Sequence, residues 1–479
     1  MKTNSLDFDA RALREKILDL AMRGKLVKQD PNDEPASVLL EKIKAEKAEL
    51  VKEGKIKKSK SLPEVTDEEK PFDIPDSWEW VRLGDIFSIN DRNKATDDMI
   101  VGFLPMKNIK DGYENSFTIE EKSWGKVRKG YTHIQVGDIA LSKITPCFQN
   151  RKSCIITDLP NNIGAATTEI YALYPLIRTF SSLYIYFLKS KMFIEEGTKN
   201  FTGNVGQQRV PKKFVENFVI PLPPLSEQSR IAAKIAQLFA LLRKVESSTQ
   251  QYAELQTLLK SKVLDLAMRG KLVEQDPNDE PASVLLEKIK AEKEQLIKEK
   301  KIKKSKPLPP ISDEEKTFEI PDSWEWVRLG DIGEIFAGGD KPKTFSKTKD
   351  KYHTVPIYSN GIENKGLYGF TDKARVYDPA ITLSARGTIG HVEYRKKPYL
   401  PIIRLISFVP YNEKCLNCIF YFLQSEILIE KGDGSSIPQL TVPKLKPKLI
   451  PFPPLSEQKR ISAKVAQLFA LLRKDESSN

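Results

Sequence analysis

From Ser226 the chain runs for more than forty residues without Gly or Pro, and apolar side chains fall every seventh position at Ile231, Leu238, Val245, Tyr252, Leu259 and Leu266. Ile235, Leu242 and Val263 partly fill a second row. That period predicts one long helix with a coiled-coil seam, which needs a partner helix. Ser226 is expected as its N-cap, with Glu227 and Gln228 in the first turn. The seam recurs from Ser456 at Ile461, Val465, Leu468 and Leu472, so that second helix is the expected partner, and it stops near Asn479. Elsewhere the period shortens. Runs such as VGDIALSKI and AITLSARGTIGHV predict strands, while SSLYIYFLKSKMFIEE and CIFYFLQSEILIEK predict helices.

The pattern is duplicated. Residues 17 to 47 return at 263 to 293 with two changes, Ile17 to Val263 and Lys28 to Glu274. IPDSWEWVRLGDI begins at Ile74 and again at Ile320, and IPLPPLSEQSRIAAKIAQLFALLRK from Ile220 returns from Ile450 with four changes. Between these frames, residues 87 to 219 and 333 to 449 hardly align. Constant frames around unlike inserts suggest one shared task for the frames and a separate task for each insert. Residues 6 to 27 match the stretch that follows the central helix, so the repeat is circularly permuted. The expected division is an N-terminal helical region and linker at 1–75, a first insert domain at 76–225, a central helical region at 226–319, a second insert domain at 320–455 and a terminal helix at 456–479. Each insert reads as an α+β domain.

With 479 residues, two folded units are expected. A mean hydropathy of −0.42 argues against a membrane protein. The N-terminus alternates charge and apolar residues without the apolar core of a secretory signal, so a cytoplasmic chain with four reduced cysteines is expected. The net charge of +12 favours a polyanionic partner, although Lys-rich surface helices alone give the same excess.

Little in the chain points to catalytic chemistry. There is no Gly-x-x-x-x-Gly-Lys-Ser/Thr phosphate loop and no Asp/Asn-Pro-Pro-Tyr/Phe run for adenine methylation. His133, His353 and His391 have no catalytic spacing to a nucleophile or carboxylate. Cys415 and Cys418 resemble half a zinc site but open an apolar helix, where packed thiols are the better reading. The acidic DEEK runs at Asp67 and Asp313 read as solvated linker. No catalytic residue, metal ligand or cofactor is expected.

Binding chemistry remains. Cationic and amide side chains gather beside glycines in both inserts. The candidates are Lys143, Asn204, Gln207 and Gln208 in the first, and Lys341, Arg386, Thr388, Ser435 and Gln439 in the second. Glycine lets such loops approach a phosphate backbone, placing Arg, Gln or Asn at base edges. Ordinary polar turns would look the same, and an architectural DNA-binding protein or a charged scaffold would share the composition.

IPDSWEWVRLGDI, IPLPPLSEQSRI and IPFPPLSEQKRI resemble the conserved regions around the target-recognition domains of Type I restriction-modification specificity subunits, and the resemblance covers essentially the whole chain. It implies an α+β fold with two recognition domains separated by a pair of long antiparallel coiled-coil helices. It also implies a non-catalytic subunit that binds double-stranded DNA, holds two adenine-N6 methyltransferase subunits and joins ATP-driven restriction subunits in the full complex, with no membrane partner. Each recognition domain would read one half of a split asymmetric site. LSKITP with Lys143 and LSARGTIG with Arg386 match a Leu-Ser-x-x-Gly strand end near DNA in such domains, and the first copy lacks the glycine. A helix of about forty residues is about 60 Å long, enough to act as a ruler between the readers.

Overall fold

The computed structural model describes residues 9–58, 61–204, 206–387, 389–425 and 439–474. They form two compact units, Phe8–Ser248 and a second that takes in everything from Thr249. The long helix runs Leu225–Met268 and contributes to both. It starts one residue before Ser226, which therefore sits inside the first turn and is not the N-cap. There the Gln228 N–H donates to Pro224 O and the Gln228 side chain to Pro223 O, at 3.0 and 2.9 Å.

In the first unit, the helix Ala10–Met22 starts where the Asp9 carboxylate accepts from the Ala12 N–H. It stops at Gly24, whose φ of +66° only glycine adopts freely, and the Lys25 N–H closes the end on Leu20 O at 2.8 Å. Leu18, Ala21 and Met22 on this helix are buried in one cluster with Ile231, Ile235 and Phe239 of the long helix. Full burial of each large aliphatic or aromatic side chain contributes about 1.5–3 kcal/mol. Arg14 bonds Glu246 at 2.9 Å and Arg230 bonds Asp33 at 3.1 Å, so the two segments run antiparallel. The second unit repeats the arrangement with other pieces of chain. Leu264, Ala267 and Met268 of the long helix pack with Ile461, Val465 and Phe469 of the helix Leu455–Lys474, and Gln256 donates to Leu472 O at 3.0 Å.

The partner expected for the long helix is thus present along only part of it: the helix from Leu455 pairs with its C-terminal half, and Ala10–Met22 with its N-terminal half. The buried row is not the strict heptad either. Leu259 is half exposed, and Phe239 and Leu264, outside the expected rows, are buried.

Each insert leaves its frame through a two-stranded antiparallel ribbon, Glu79–Arg82 with Val219–Leu222 in one unit and Glu325–Arg328 with Leu449–Phe452 in the other. The ribbon arginines are buried. Arg82 donates to Pro63 O, Asn217 O and Glu64 O and to both oxygens of Glu69, and Arg328 repeats the set with Pro309, Pro447, Pro310 and Glu315. The DEEK runs are therefore not merely solvated linker. Glu69 and Glu315 close capping turns and neutralise a buried guanidinium.

Inside the first insert, one antiparallel sheet orders its strands Phe87–Ile89, Ile170–Pro175, Ile139–Ser142 and Ser153–Ile155. A second sheet is built on the parallel pair Ile100–Leu104 and Ile163–Ala166. The second insert repeats this with Gly333–Ala337, Leu405–Pro410, Ala380–Ser384 and Val392–Arg395, and with the parallel pair Val355–Tyr358 and Leu400–Pro401. Two inserts that hardly align in sequence share the strand order of the antiparallel sheet and the parallel pair of the other, which has four strands in the first insert and three in the second. The expected helices follow, Ser181–Phe187 and Lys191–Lys199 in the first and Leu416–Leu423 in the second. No helix among the described residues is long and apolar enough to cross a membrane.

Candidate nucleic-acid interface

In both inserts the strand that ends in Leu-Ser leads into a junction of three segments. In the first, the Lys143 N–H donates to Glu169 O at 3.0 Å, and the Val210 N–H donates to Lys143 O at 2.9 Å. In the second, the Ala385 N–H donates to Arg404 O and the Leu440 N–H to Ala385 O, both at 2.9 Å. These bonds align Lys143 with Ala385, Glu169 with Arg404, and Arg209 with Gln439. The shared Leu-Ser strand end gives the same alignment, in which the residue matching Arg386 is Ile144.

The first junction gathers Lys143, Asn204, Gln207 and Gln208. The Thr145 N–H donates to Gln208 O, and the Gln207 N–H to Asn204 O, both at 2.9 Å. Asn204 and Gln207 are exposed. The Lys143 ammonium lies 4.9 Å from the Tyr171 ring, and burial lowers its pKa while Glu169 partly offsets this. Two charged residues that the sequence reading missed complete the junction. Arg209 forms a two-point pair with Glu169, Nε and Nη2 each at 2.8 Å, and the guanidinium holds the Glu169 carboxyl below its usual range. Forty positions separate them, so no local motif signals the pair.

The second junction gathers Arg386 and Gln439. Asn360, also missed, donates its side-chain N–H to Arg386 O at 2.6 Å, and Gln439 is exposed beside Leu440. Arg404 occupies the left-handed region at φ +71° and is exposed. Lys341 stands against a different part of the domain, 4.2 Å from the Phe345 ring and 5.8 Å from Tyr368 on the strand Leu367–Thr371. Thr388 and Ser435 lie outside the described residues.

The glycines divide by role. A Cβ on Gly338 would sit 2.2 Å from Ile402 O, so that glycine serves close backbone packing and not approach by a ligand. Gly206, at φ +85°, has open space around it, as a contact loop requires.

The other candidate chemistry resolves into packing and local pairs, and two of the histidines, against expectation, have a carboxylate beside them: His353 bonds Asp350 at 2.9 Å and His391 stands 3.3 Å from Glu393. Cys415 and Cys418 are buried free thiols, and burial pushes Cys415 up to about 12. No group of three or more metal-ligating side chains occurs among the described residues. His133 accepts from the Asn93 N–H at 2.9 Å, and burial lowers its pKa.

The family model for the Type I restriction modification DNA specificity domain matches residues 75–256 and 321–478. The Type I restriction enzyme EcoAI specificity subunit of Escherichia coli is 40% identical, with 98% of this chain and 90% of that relative covered. The EcoEI specificity subunit of the same organism is 45% identical over 68% of this chain and 62% of the relative. A chain solved in a study of complex assembly and conformational transition of the type I R-M system shares the fold, with a TM-score of 0.58 at 20% identity, covering 85% of this chain and 94% of that one.

Proposed function

The chain belongs to the family of Type I restriction-modification specificity subunits, and from that premise we propose that its two inserts each read one half of a bipartite, asymmetric DNA site. The recognition domains are 76–225 and 320–455. The regions 1–75, 226–319 and 456–479 form the frame that holds two methyltransferase subunits and fixes the spacing between half-sites. The observation that carries this reading is the contrast between two frames keyed by identical side chains and two inserts that share the strand order of one sheet but differ in surface chemistry.

Phosphate contacts from the basic surface supply affinity, and a few base-edge contacts supply choice. The proposed contact set keeps Lys143, Asn204, Gln207 and Gln208 in one domain and Arg386 and Gln439 in the other, with Lys341 as an outlying phosphate contact. Methyl transfer and ATP-driven cleavage reside in partner subunits, and the complex works in the cytoplasm. Exposed Leu241, Leu255, Leu258 and Leu259 on the long helix support a docking role for the frame.

The test is to co-express the chain with its methyltransferase subunits and map modified adenines. Sequence-specific methylation that depends on this chain is expected. Methyl transfer by the pure chain, or methylation whose sites do not depend on the chain, overturns the reading.

A further inference from the structure

Arg209 is held more firmly than an exposed arginine needs to be. Its backbone exchanges two hydrogen bonds with Thr202, both at 2.9 Å. Its guanidinium gives Nε and Nη2 to the Glu169 carboxylate at 2.8 Å and Nη1 to Gln207 O at 2.9 Å. Arginine has five N–H donors. Three are engaged, which leaves one on each terminal nitrogen of a side chain that is still 40% exposed. Gln207 and Asn204 belong to the same loop, and the Lys143 backbone bonds Glu169 on one side and Val210 on the other, so the side chain stands in a segment rich in groups suited to DNA.

A guanidinium edge with two parallel donors matches the O6 and N7 acceptors that guanine presents in the major groove. Orienting the fork beforehand lowers the entropy lost on binding. The carboxylate behind it offsets one charge without occupying the free edge. The matching positions of the second insert carry no such pair, because Gln439 stands in the place of Arg209 and Arg404 in that of Glu169.

We propose that Arg209 is a guanine-reading residue of the first recognition domain, with Glu169 as its positioning residue. This rests on the reading of the chain as a specificity subunit. Lys143 adds a phosphate contact beside it, and the second half-site is read by a different constellation around Arg386 and Arg404.

The experiment uses the full chain assembled with its methyltransferase subunits, a library of DNA sites, and the variants Arg209→Ala, Arg209→Lys and Glu169→Gln. The half-site belonging to the first domain is identified by exchanging residues 87–219. In the wild type, that half-site contains a required guanine. Arg209→Ala lowers discrimination at that one position by roughly 5- to 150-fold and leaves the other half-site unchanged. Arg209→Lys does not restore it, because an ammonium lacks the planar fork. Glu169→Gln keeps one hydrogen bond to the guanidinium, so the loop stays folded while discrimination at the same position falls partway.

Three results overturn the proposal. The site can keep all its base preferences in Arg209→Ala. All sequences can weaken together with a salt slope smaller by about one, which marks a phosphate contact. Thermal stability can fall while the methylated motif stays intact, which marks a loop clamp. A wild-type complex whose methylation ignores sequence would instead overturn the underlying reading.

Discussion

The two frames and the two inserts are both duplicates, but they have been held to different standards. In the frames the repetition extends to single hydrogen bonds. The Trp78 indole donates to Glu227 at 2.8 Å while Gln29 holds the other carboxylate oxygen at 2.6 Å, and Trp324, Glu457 and Gln275 repeat this at 2.7 and 2.5 Å. A Cβ on Gly24 would meet Pro75 at 2.5 Å, and one on Gly270 would meet Pro321 at 2.4 Å. In the inserts, among the described residues, the junction bonds that repeat are backbone bonds. The same junction carries Lys143, Glu169 and Arg209 in one copy and Ala385, Arg404 and Gln439 in the other. A fold held by backbone pairing and apolar burial leaves its surface side chains free to differ, whereas a frame held by buried side-chain hydrogen bonds does not.

The contrast differs again at the helices Ser181–Phe187 and Leu416–Leu423. Just beyond the first, Lys189 is fully buried and its ammonium donates to Gly112 O, Glu114 O and Arg151 O at 2.8 to 3.1 Å. Gln424 follows the second in the same place and is exposed. The first insert is the longer one, and Lys189 fastens loop 112–114 of its extra chain.

The strongest test of the comparison is exchange of residues 87–219 for the insert of another subunit. Each mismatched base costs roughly 1–3 kcal/mol, so methylation at the old site should fall by about 1000-fold or more while the second half-site persists. Simultaneous change of both half-sites would break the modular reading. Next comes the frame. Arg82→Ala and Arg328→Ala should each destabilise their own unit by about 2 kcal/mol, because each leaves three backbone carbonyls without their donor, and denaturant unfolding of the two variants should show matched losses.

Lys189→Met should cost about 2 kcal/mol through the carbonyls it orphans, whereas Gln424→Met should change stability by less than about 0.5 kcal/mol. A pH signature accompanies it. Burial pushes the Lys189 ammonium down to about 7, below its value in the unfolded chain, so the unfolded state binds more protons between about pH 7 and pH 10. Lys189 should therefore contribute stability that rises with pH across that window, opposed in its lower part by Asp138, which burial pushes up to about 8, and Lys189→Met should make the pH 7 to pH 9 change in urea titrations less positive than in the wild type. On the binding side, Arg386→Ala is expected to lose about 1.5 kcal/mol in specific binding if the side chain meets a base edge. A loss shared equally by all sequences would mark a phosphate contact.

What the sequence made legible was what it repeats. The frame blocks predicted the long helix, the permutation and the division into similar halves, because a near-exact repeat over 31 residues needs no knowledge of packing. The expected seam erred where burial depends on which helix lies alongside: Phe239 is covered and Leu259 is half exposed. DEEK looked like linker because Arg82 lies 13 positions from Glu69. Lys143 was found through its strand end, and Asn204, Gln207 and Gln208 through their turn glycines. Arg209 and Glu169 were not, since neither is distinctive until the chain folds them together. Lys341 was grouped with Arg386 on composition alone.

The closeness of the frames also bears on inheritance. Two nearly identical protein stretches imply similar coding sequences on either side of each insert, where homologous recombination can act. A crossover between the stretches coding for 17–47 and 263–293 would excise the 246 residues that separate equivalent positions. The product would keep the insert 333–449 between the helices Ala10–Met22 and Leu455–Lys474. The faces they present, Leu18, Ala21 and Met22 against Ile461, Val465 and Phe469, are the two sides of the interface that each unit already contains. A single genetic event would thus turn a two-reader gene into a one-reader gene whose product can still close its frame.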